Sequence, residues 1–183
     1  IAGHYMSLGD AEKELDAMQR AARYAAALGD REVIADVACN TVDTEVRRER
    51  LDLARMQLEA GRSALAQVAN PDPGTVIACL RGEIEFARAT GDLDRGVERA
   101  REGVALAERT GRTHGSAYPM LLSYLQTLYQ VRGDLAASLE VTRRLVRLDE
   151  QMGRTNTVDY LQSSATEANI LIAWGEYRAA QAV

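Results

Sequence analysis

The sequence has 183 residues, of which 46% are hydrophobic and 27% are charged, and its formal net charge is −5. This composition is that of a globular protein with an apolar core, and it excludes an intrinsically disordered chain. No apolar run approaches the roughly 20 residues that a membrane-spanning helix needs, and no signal-peptide pattern opens the sequence, so we expect a cytoplasmic protein. Because basic and acidic side chains alternate, as in Arg95, Glu98 and Arg99, we do not expect this segment to bind nucleic acid.

Apolar residues recur at three- and four-residue spacing along almost the whole chain, which is the pattern of amphipathic helices. Residues 116–132 show it best: Ser116 is the expected N-cap, Pro119 lies in the first turn, and Gly133 is expected to end the helix in a left-handed conformation. The predicted helices, in chain order, span residues 10–28, 31–49, 51–69, 75–90, 92–110, 116–132, 134–152 and 155–174, with a stub from 176.

The predicted helices belong to a repeat. Gly91-Asp92-Leu93 returns 42 residues later as Gly133-Asp134-Leu135, and after another 42 residues the chain reads Gly175-Glu176-Tyr177. A helix pair that cannot bury its own apolar face must stack on its neighbours, so this period predicts an all-α solenoid.

The Pro-rich stretch at residues 70–74 interrupts the helices but not the repeat register, so we interpret it as a loop between repeats rather than a domain boundary. We expect one repeat domain over residues 1–183. Its parts are a partial repeat at 1–29, full repeats at 30–70, 74–111 and 113–153, and a partial repeat at 154–183.

The turn between paired helices resembles that of the tetratricopeptide repeat (TPR) family. The resemblance rests on this Gly-Asp-Leu or Gly-Glu-Tyr turn, on large apolar residues before it such as Tyr5, Leu125 and Tyr129, and on small residues in the second helices such as Gly61. It implies a right-handed α-α superhelix of antiparallel helix pairs. The sequence departs from the family pattern in its period, which is about 34 residues in the common repeat, and in Leu145, a large residue where a small one is expected.

Residues with catalytic or metal-binding chemistry are few and scattered. His4 and His114 lie in different repeats without a paired acid at metal-ligand spacing, and no phosphate-binding Gly-rich loop or nucleophile elbow is present. Cys39 and Cys79 occupy near-equivalent places on the first helices of adjacent repeats. Packed helix axes lie roughly 8–10 Å apart, whereas disulfide Cα atoms typically lie about 4.4–6.8 Å apart, so we expect reduced, buried thiols. We expect no enzyme activity, no cofactor and no metal.

Two further features bear on the source and context of the chain. Arginine and alanine are abundant while Lys13 is the single lysine, which indicates a GC-rich coding sequence and a bacterial source. The long helices resemble the TPR-like arrays of large bacterial signal-transducing regulators of the maltose-regulator and LuxR type. Because the first residue is Ile1 rather than Met and the last repeat is incomplete, we expect a segment of a larger protein.

The TPR resemblance implies that the first helices line a concave face on which a protein or peptide partner binds. The predicted partner-binding residues are Asp36, Asn40, Asp43, Arg47, Arg81, Glu85, Arg88, Tyr124, Thr127, Gln130, Gln162, Thr166 and Asn169, and Cys39 and Ser123 share this face. Arg81, Glu85 and Arg88 point the same way, and an internal ion pair is the alternative to a ligand-facing patch there.

These observations favour a non-catalytic protein-protein interaction module, the sensory or regulatory repeat region of a larger bacterial regulator. A free-standing scaffold or chaperone-like adaptor in complex assembly and a small-molecule effector-binding domain are the alternatives. A repeat end without a capping repeat also allows the chain to self-associate.

Overall fold

All the regular secondary structure of residues 11–183, the part of the chain that this computed structural model describes, is helical. The helices in this range are α1 (Ala11–Leu28), α2 (Arg31–Arg47), α3 (Leu51–Leu65), α4 (Pro73–Thr90), α5 (Leu93–Arg109), α6 (Ala117–Arg132), α7 (Leu135–Gln151), α8 (Val158–Ala173) and α9 (Tyr177–Ala180). The predicted all-α fold class is therefore confirmed. His4, Tyr5 and the first residue of the helix predicted over residues 10–28 lie outside the described residues.

The chain divides into two compact units, Ile1–Leu106 (unit 1) and Ala107–Val183 (unit 2), and the division falls within α5. In unit 1, α2 packs against α1, α3 and α4. In unit 2, α7 packs against α6 and α8, and α9 packs against α8. The Pro-rich loop at residues 70–74 lies inside unit 1, between α3 and α4.

The helix ends follow from local chemistry. Asp30 caps α2, because its carboxylate accepts a hydrogen bond of 2.9 Å from the backbone N–H of Glu32. Gly133 ends α6 with φ +80°, which confirms the predicted left-handed conformation. The predicted cap at Ser116 is wrong: its backbone is itself helical, with φ −64° and ψ −23°, and its side chain accepts no capping hydrogen bond.

Cys39 of α2 and Cys79 of α4 form a disulfide bond, so the expectation of reduced thiols is wrong. Their Cα atoms lie 4.7 Å apart. The expectation compared a distance between helix axes with a distance between Cα atoms. Because each Cα lies about 2.3 Å from its own axis, two facing Cα atoms of packed helices come roughly 4–5 Å closer than the axes.

Two buried glycines allow α2 and its neighbours to approach this closely. A methyl group on Gly61 of α3 would collide with the Sγ atom of Cys39. A methyl group on Gly82 of α4 would lie 3.0 Å from the carbonyl oxygen of Cys39, closer than ordinary van der Waals contact. Ala35, Ala64 and the two cysteines complete one buried cluster of unit 1. Small side chains therefore set the helix spacing in this unit.

Within unit 2, the start of α6 is tied to α7 and to the last residues of α5 through one hydroxyl group. The Tyr118 hydroxyl donates a hydrogen bond of 3.0 Å to Glu108 and accepts one from Arg144 of α7, which also pairs with Glu108. Burial raises the pKa of Tyr118. Burial, and then the charge of Arg147, lowers the pKa of Arg144. This network holds the N-terminal end of α6 in place.

Candidate functional site

A cleft of about 720 Å³ lies between α6 and α8 in unit 2. Helix α6 supplies one wall, α8 supplies the other, and α7 supplies Leu145 and Asp149. Uncharged polar side chains dominate the lining: Ser116, Ser123, Gln126, Thr127, Gln130, Thr157, Gln162, Ser163, Thr166 and Asn169. Amide and hydroxyl groups both donate and accept hydrogen bonds, so the cleft offers paired donors and acceptors rather than a charge.

Five of the thirteen predicted partner-binding residues meet in this cleft. They are Thr127, Gln130, Gln162, Thr166 and Asn169, and Ser123, which the sequence places on the same face, joins them. Tyr124 is half-buried and is not among the residues that line the cleft. In unit 2, the sequence-predicted face and the observed cleft therefore largely coincide.

The charged groups of the cleft are mostly neutralised by one another. Arg154 donates two hydrogen bonds to the same oxygen of Asp149, at 3.0 and 2.7 Å. Asp159 adds a carboxylate at the rim. The cleft thus carries no concentrated charge of either sign, and hydrogen bonding and shape are what it offers a ligand.

Sequence reasoning missed the apolar part of this cleft, Pro119, Met120 and Leu145. One sequence feature could have indicated the cleft: Leu145 is a large residue at a repeat position that a small residue usually occupies. Gly61 of α3 occupies the same repeat position two periods of 42 residues earlier. Where that position is Gly61, the first helices α2 and α4 close to disulfide distance. Where it is Leu145, 6% exposed, the first helices α6 and α8 are separated by a cleft.

The predicted residues of α2 in unit 1 make contacts within their own helix. The Asn40 side-chain amide donates to the Asp36 carbonyl oxygen at 2.9 Å and to its carboxylate at 3.1 Å. Arg47 donates to Asp43 at 3.2 Å. Burial raises the pKa of Asp36, and the hydrogen bond from Asn40 and the charge of Arg81 oppose that shift. Cys39, which the sequence places on the open face, is buried in the disulfide.

The predicted residues of α4 form the internal ion pair that is the alternative to a ligand-facing patch. Arg88 donates to Glu85 at 3.1 and 2.6 Å, and Glu85 is buried. In this arrangement the Glu85 carboxylate is buried and paired, so the structure favours the ion pair over a ligand-facing group at this residue. Arg81 is half-buried and its charge acts on Asp36 of the neighbouring helix.

A second cleft, of about 570 Å³, lies in unit 1 between α3 and α5, above α4. Its floor contains Leu65, Val76, Leu80 and Cys79. Its charged lining consists of Glu59, Arg62, Glu83, Arg99 and Glu102. Buried Glu83 accepts a hydrogen bond of 2.9 Å from Arg95 of α5 and lies 3.6 Å from Arg62 of α3, so it ties three helices together beneath this cleft.

Metal-binding side chains are not clustered in the described part of the chain. His114 is exposed in the turn between α5 and α6. Within residues 11–183, no cluster of three or more His, Cys, Asp or Glu side chains has the arrangement of a metal site. None of the helices in that range is long and apolar enough to cross a membrane.

Comparison of sequences gives no relative: no family model matches this sequence, and no curated protein sequence matches it. Comparison of structures does. A Podosopora anserina protein described as a putative kinesin light chain with nearly identical TPR-like repeats superposes with a TM-score of 0.67 at 19% identity, over 98% of this chain and 86% of its own. A single-substitution variant of that protein gives a TM-score of 0.68 at 18% identity over the same shares.

BtubC (BKLC) from P. vanneervenii has a TM-score of 0.67 at 10% identity, over 89% of this chain and 66% of its own. At these identities the likeness concerns the fold. The paired helices, the glycine turns between them and these superpositions agree with the resemblance seen in the sequence. The chain therefore has the fold of the TPR-like helical-repeat proteins.

Proposed function

We propose that this chain is a non-catalytic protein-interaction module, and that the cleft between α6 and α8 binds an extended segment of a partner protein. Helix-pair repeat proteins use the extended surfaces of their stacked repeats for binding. The observation that carries the proposal is the cleft itself: about 720 Å³, lined by side chains that hydrogen-bond without charge.

This lining suits a polypeptide backbone. Each peptide unit of an extended segment presents one N–H donor and one C=O acceptor. Gln130, Gln162 and Asn169 present a donor and an acceptor in each amide group, on both walls of the cleft. Met120 and Leu145 give an apolar side chain of the partner a place to pack. A partner segment that is uncharged where it enters the cleft fits this surface.

The wider context of the module is also part of the proposal. We place the module in the sensory or regulatory repeat region of a larger bacterial regulator, because its long helices resemble the TPR-like arrays of such regulators. The arginine-rich, lysine-poor composition supports a bacterial source. In that context, occupancy of the cleft would alter contacts with neighbouring domains. A free-standing scaffold uses the same cleft without those domains.

A small-molecule effector is the second candidate ligand. The cleft volume falls within the roughly 300–1,000 Å³ that is typical of small-molecule sites. The paired donors and acceptors on two facing walls favour the peptide, because a repeating backbone matches them along the whole cleft.

The expected cytoplasmic location remains part of this proposal. Disulfide bonds in the cytosol are usually transient, catalytic or redox-sensing rather than structural. A cytoplasmic location therefore favours a bond between Cys39 and Cys79 that is subject to exchange.

The proposal is tested by selecting peptides from a random phage-displayed library on the immobilised protein. The comparison is with Thr127→Trp, which fills the cleft, and with Val131→Trp, a matched control on the same helix at an exposed position that does not line the cleft. Peptides retained by the wild type and by Val131→Trp, and lost by Thr127→Trp, support the proposal. Retention by all three proteins contradicts it, and saturable binding of metabolites with no peptide selected favours the effector site.

A further inference from the structure

We propose that the cleft between α3 and α5 is a thiol-exchange site, through which a small uncharged thiol opens the disulfide bond by attacking Cys79. This inference concerns unit 1 and does not depend on the function proposed for the cleft of unit 2. It rests on the different surroundings of the two cysteine sulfurs.

The two sulfurs are both buried but are not equally enclosed. Cys79 is 3% exposed and is among the residues that line the cleft of about 570 Å³, together with Leu80 and Val76. Cys39 is 1% exposed and is not among the residues that line this cleft. Gly61 of α3 packs so closely on the Cys39 Sγ atom that not even a methyl group fits between them. A reagent in the cleft therefore meets Cys79 first.

The charges of the cleft define the class of thiol. Its lining carries three carboxylates, Glu59, Glu83 and Glu102, against the two guanidinium groups of Arg62 and Arg99. Both guanidinium groups already have acidic partners: Arg62 lies 3.6 Å from Glu83, and Arg99 pairs with Glu102 at 2.6 Å. Glu83 also accepts a hydrogen bond of 2.9 Å from Arg95, so the charged groups of the cleft are paired with one another and offer no separate partner for a carboxylate on the thiol. A small thiol without a charged substituent, on the apolar floor of Leu65, Val76 and Leu80, is the ligand that fits.

The exchange has two steps. The thiolate of the small thiol attacks the Cys79 sulfur, a new S–S bond forms, and the bond between Cys79 and Cys39 breaks. The electron pair leaves on the Cys39 sulfur, which takes up a proton from water. A second thiolate then attacks the sulfur of the bound small thiol, releasing the disulfide of two small thiols and leaving Cys79 as a thiol. Two small thiols are oxidised and the protein disulfide is reduced by two electrons.

Opening the bond has a defined structural consequence. The disulfide is the covalent link between α2 and α4, and the two helices carry Asp36, Asn40 and Arg81 close to it in sequence. Without the link, contact between these helices depends on noncovalent packing alone, such as the close packing around Gly61 and Gly82 and that of Phe86 on the cluster that contains Val42. Faster amide hydrogen exchange in α2 and α4 is the expected result of reduction.

The test uses the intact chain and 2-mercaptoethanol as the probe, with alkylation to trap released thiols and peptide mapping by mass spectrometry. The expected product carries the mercaptoethanol adduct on Cys79 and the alkyl group on Cys39. In Ser63→Trp, whose new side chain covers the cleft, exchange slows by about tenfold or more, equivalent to roughly 1.4 kcal/mol of barrier. Ala60→Trp, an exposed position on the same helix that does not line the cleft, leaves the rate unchanged.

Three results overturn the inference: an adduct on Cys39, equal exchange rates in Ser63→Trp and the wild type, or a disulfide that resists the thiol until the protein unfolds. Single-cysteine variants provide a check that does not need the disulfide. In Cys39→Ala the remaining Cys79 should react with a coloured aromatic disulfide faster than the remaining Cys39 does in Cys79→Ala. The reverse order of rates also overturns the inference.

Discussion

Gly61 and Leu145 occupy the same position of the repeat, two periods of 42 residues apart, and they accompany opposite arrangements of the first helices. Beside Gly61, α2 and α4 are joined by a disulfide bond with Cα atoms 4.7 Å apart. Beside Leu145, α6 and α8 are separated by a cleft of about 720 Å³. Since side-chain size at a helix contact sets how closely helices approach, this one position accounts for a closed arrangement in unit 1 and an open one in unit 2.

The closed arrangement predicts that Gly61→Ala destabilises the protein. The added methyl group collides with the Cys39 Sγ atom, and overpacking of this kind costs about 1–3 kcal/mol of unfolding free energy. The measurement is urea unfolding, with Gly115→Ala as the control because nothing lies within 4 Å of a methyl group there. In a Cys39→Ala background the cost should shrink, and an unchanged cost would show that the sulfur is not the obstacle.

The open arrangement predicts two effects of Leu145→Ala. Truncating a buried leucine costs about 2–5 kcal/mol of stability. The substitution should also weaken the binding of any ligand in the cleft between α6 and α8, because the Leu145 side chain lines that cleft. Leu139→Ala, a truncation elsewhere in the buried part of α7, is the control for the loss of stability alone. Equal ligand affinities in the two variants would contradict a role for Leu145 in the cleft.

The disulfide predicts a large stability difference between oxidised and reduced protein. Cys39 and Cys79 are 40 residues apart in sequence, and closing a loop of that length stabilises a folded chain by about 4 kcal/mol in the chain-entropy treatment. The double variant Cys39→Ala/Cys79→Ala should lose a comparable amount in urea unfolding, and added reductant should not destabilise it further. If reductant leaves the unfolding free energy of the wild type unchanged, the disulfide does not stabilise the fold as predicted.

Asp36 predicts a pH dependence of stability. Burial raises its pKa in the folded state, so the folded chain binds this proton more tightly than the unfolded chain does. In the pH window between the unfolded pKa of about 3.9 and the higher folded pKa, stability therefore falls as pH rises. Asp36→Asn, whose amide oxygen can still accept from Asn40, should be more stable than the wild type at neutral pH. Thermal unfolding should show the difference vanish below about pH 4, and a variant that is less stable at neutral pH would contradict the sign.

The sequence predicted the helices and their pairing because both depend on local patterns. Gly91 and Gly133, with φ of +78° and +80°, mark the ends of α4 and α6 as expected. The disulfide was missed because an average helix spacing says nothing of a local approach permitted by Gly61 and Gly82.

The predicted face lines a cleft in unit 2, whereas at Glu85 in unit 1 it is buried, and the reason is similar. Thr127 and Asn169 belong to helices that stand apart, so a residue on the expected face reaches a cleft. Glu85 lies on the expected face of α4 but is buried against Arg88. Repeat position fixes the direction of a side chain, whereas the spacing of the neighbouring helices decides whether that direction leads to solvent.

The most direct test of the account is the affinity of a selected peptide for the cleft between α6 and α8, measured by isothermal titration calorimetry on the wild type, on Gln130→Ala/Asn169→Ala and on Val131→Ala. We expect the double variant, which removes amide groups from both walls, to bind at least about tenfold more weakly, a loss of roughly 1.4 kcal/mol, and we expect Val131→Ala to bind like the wild type. Equal affinities for all three proteins would place the binding surface outside the cleft between α6 and α8.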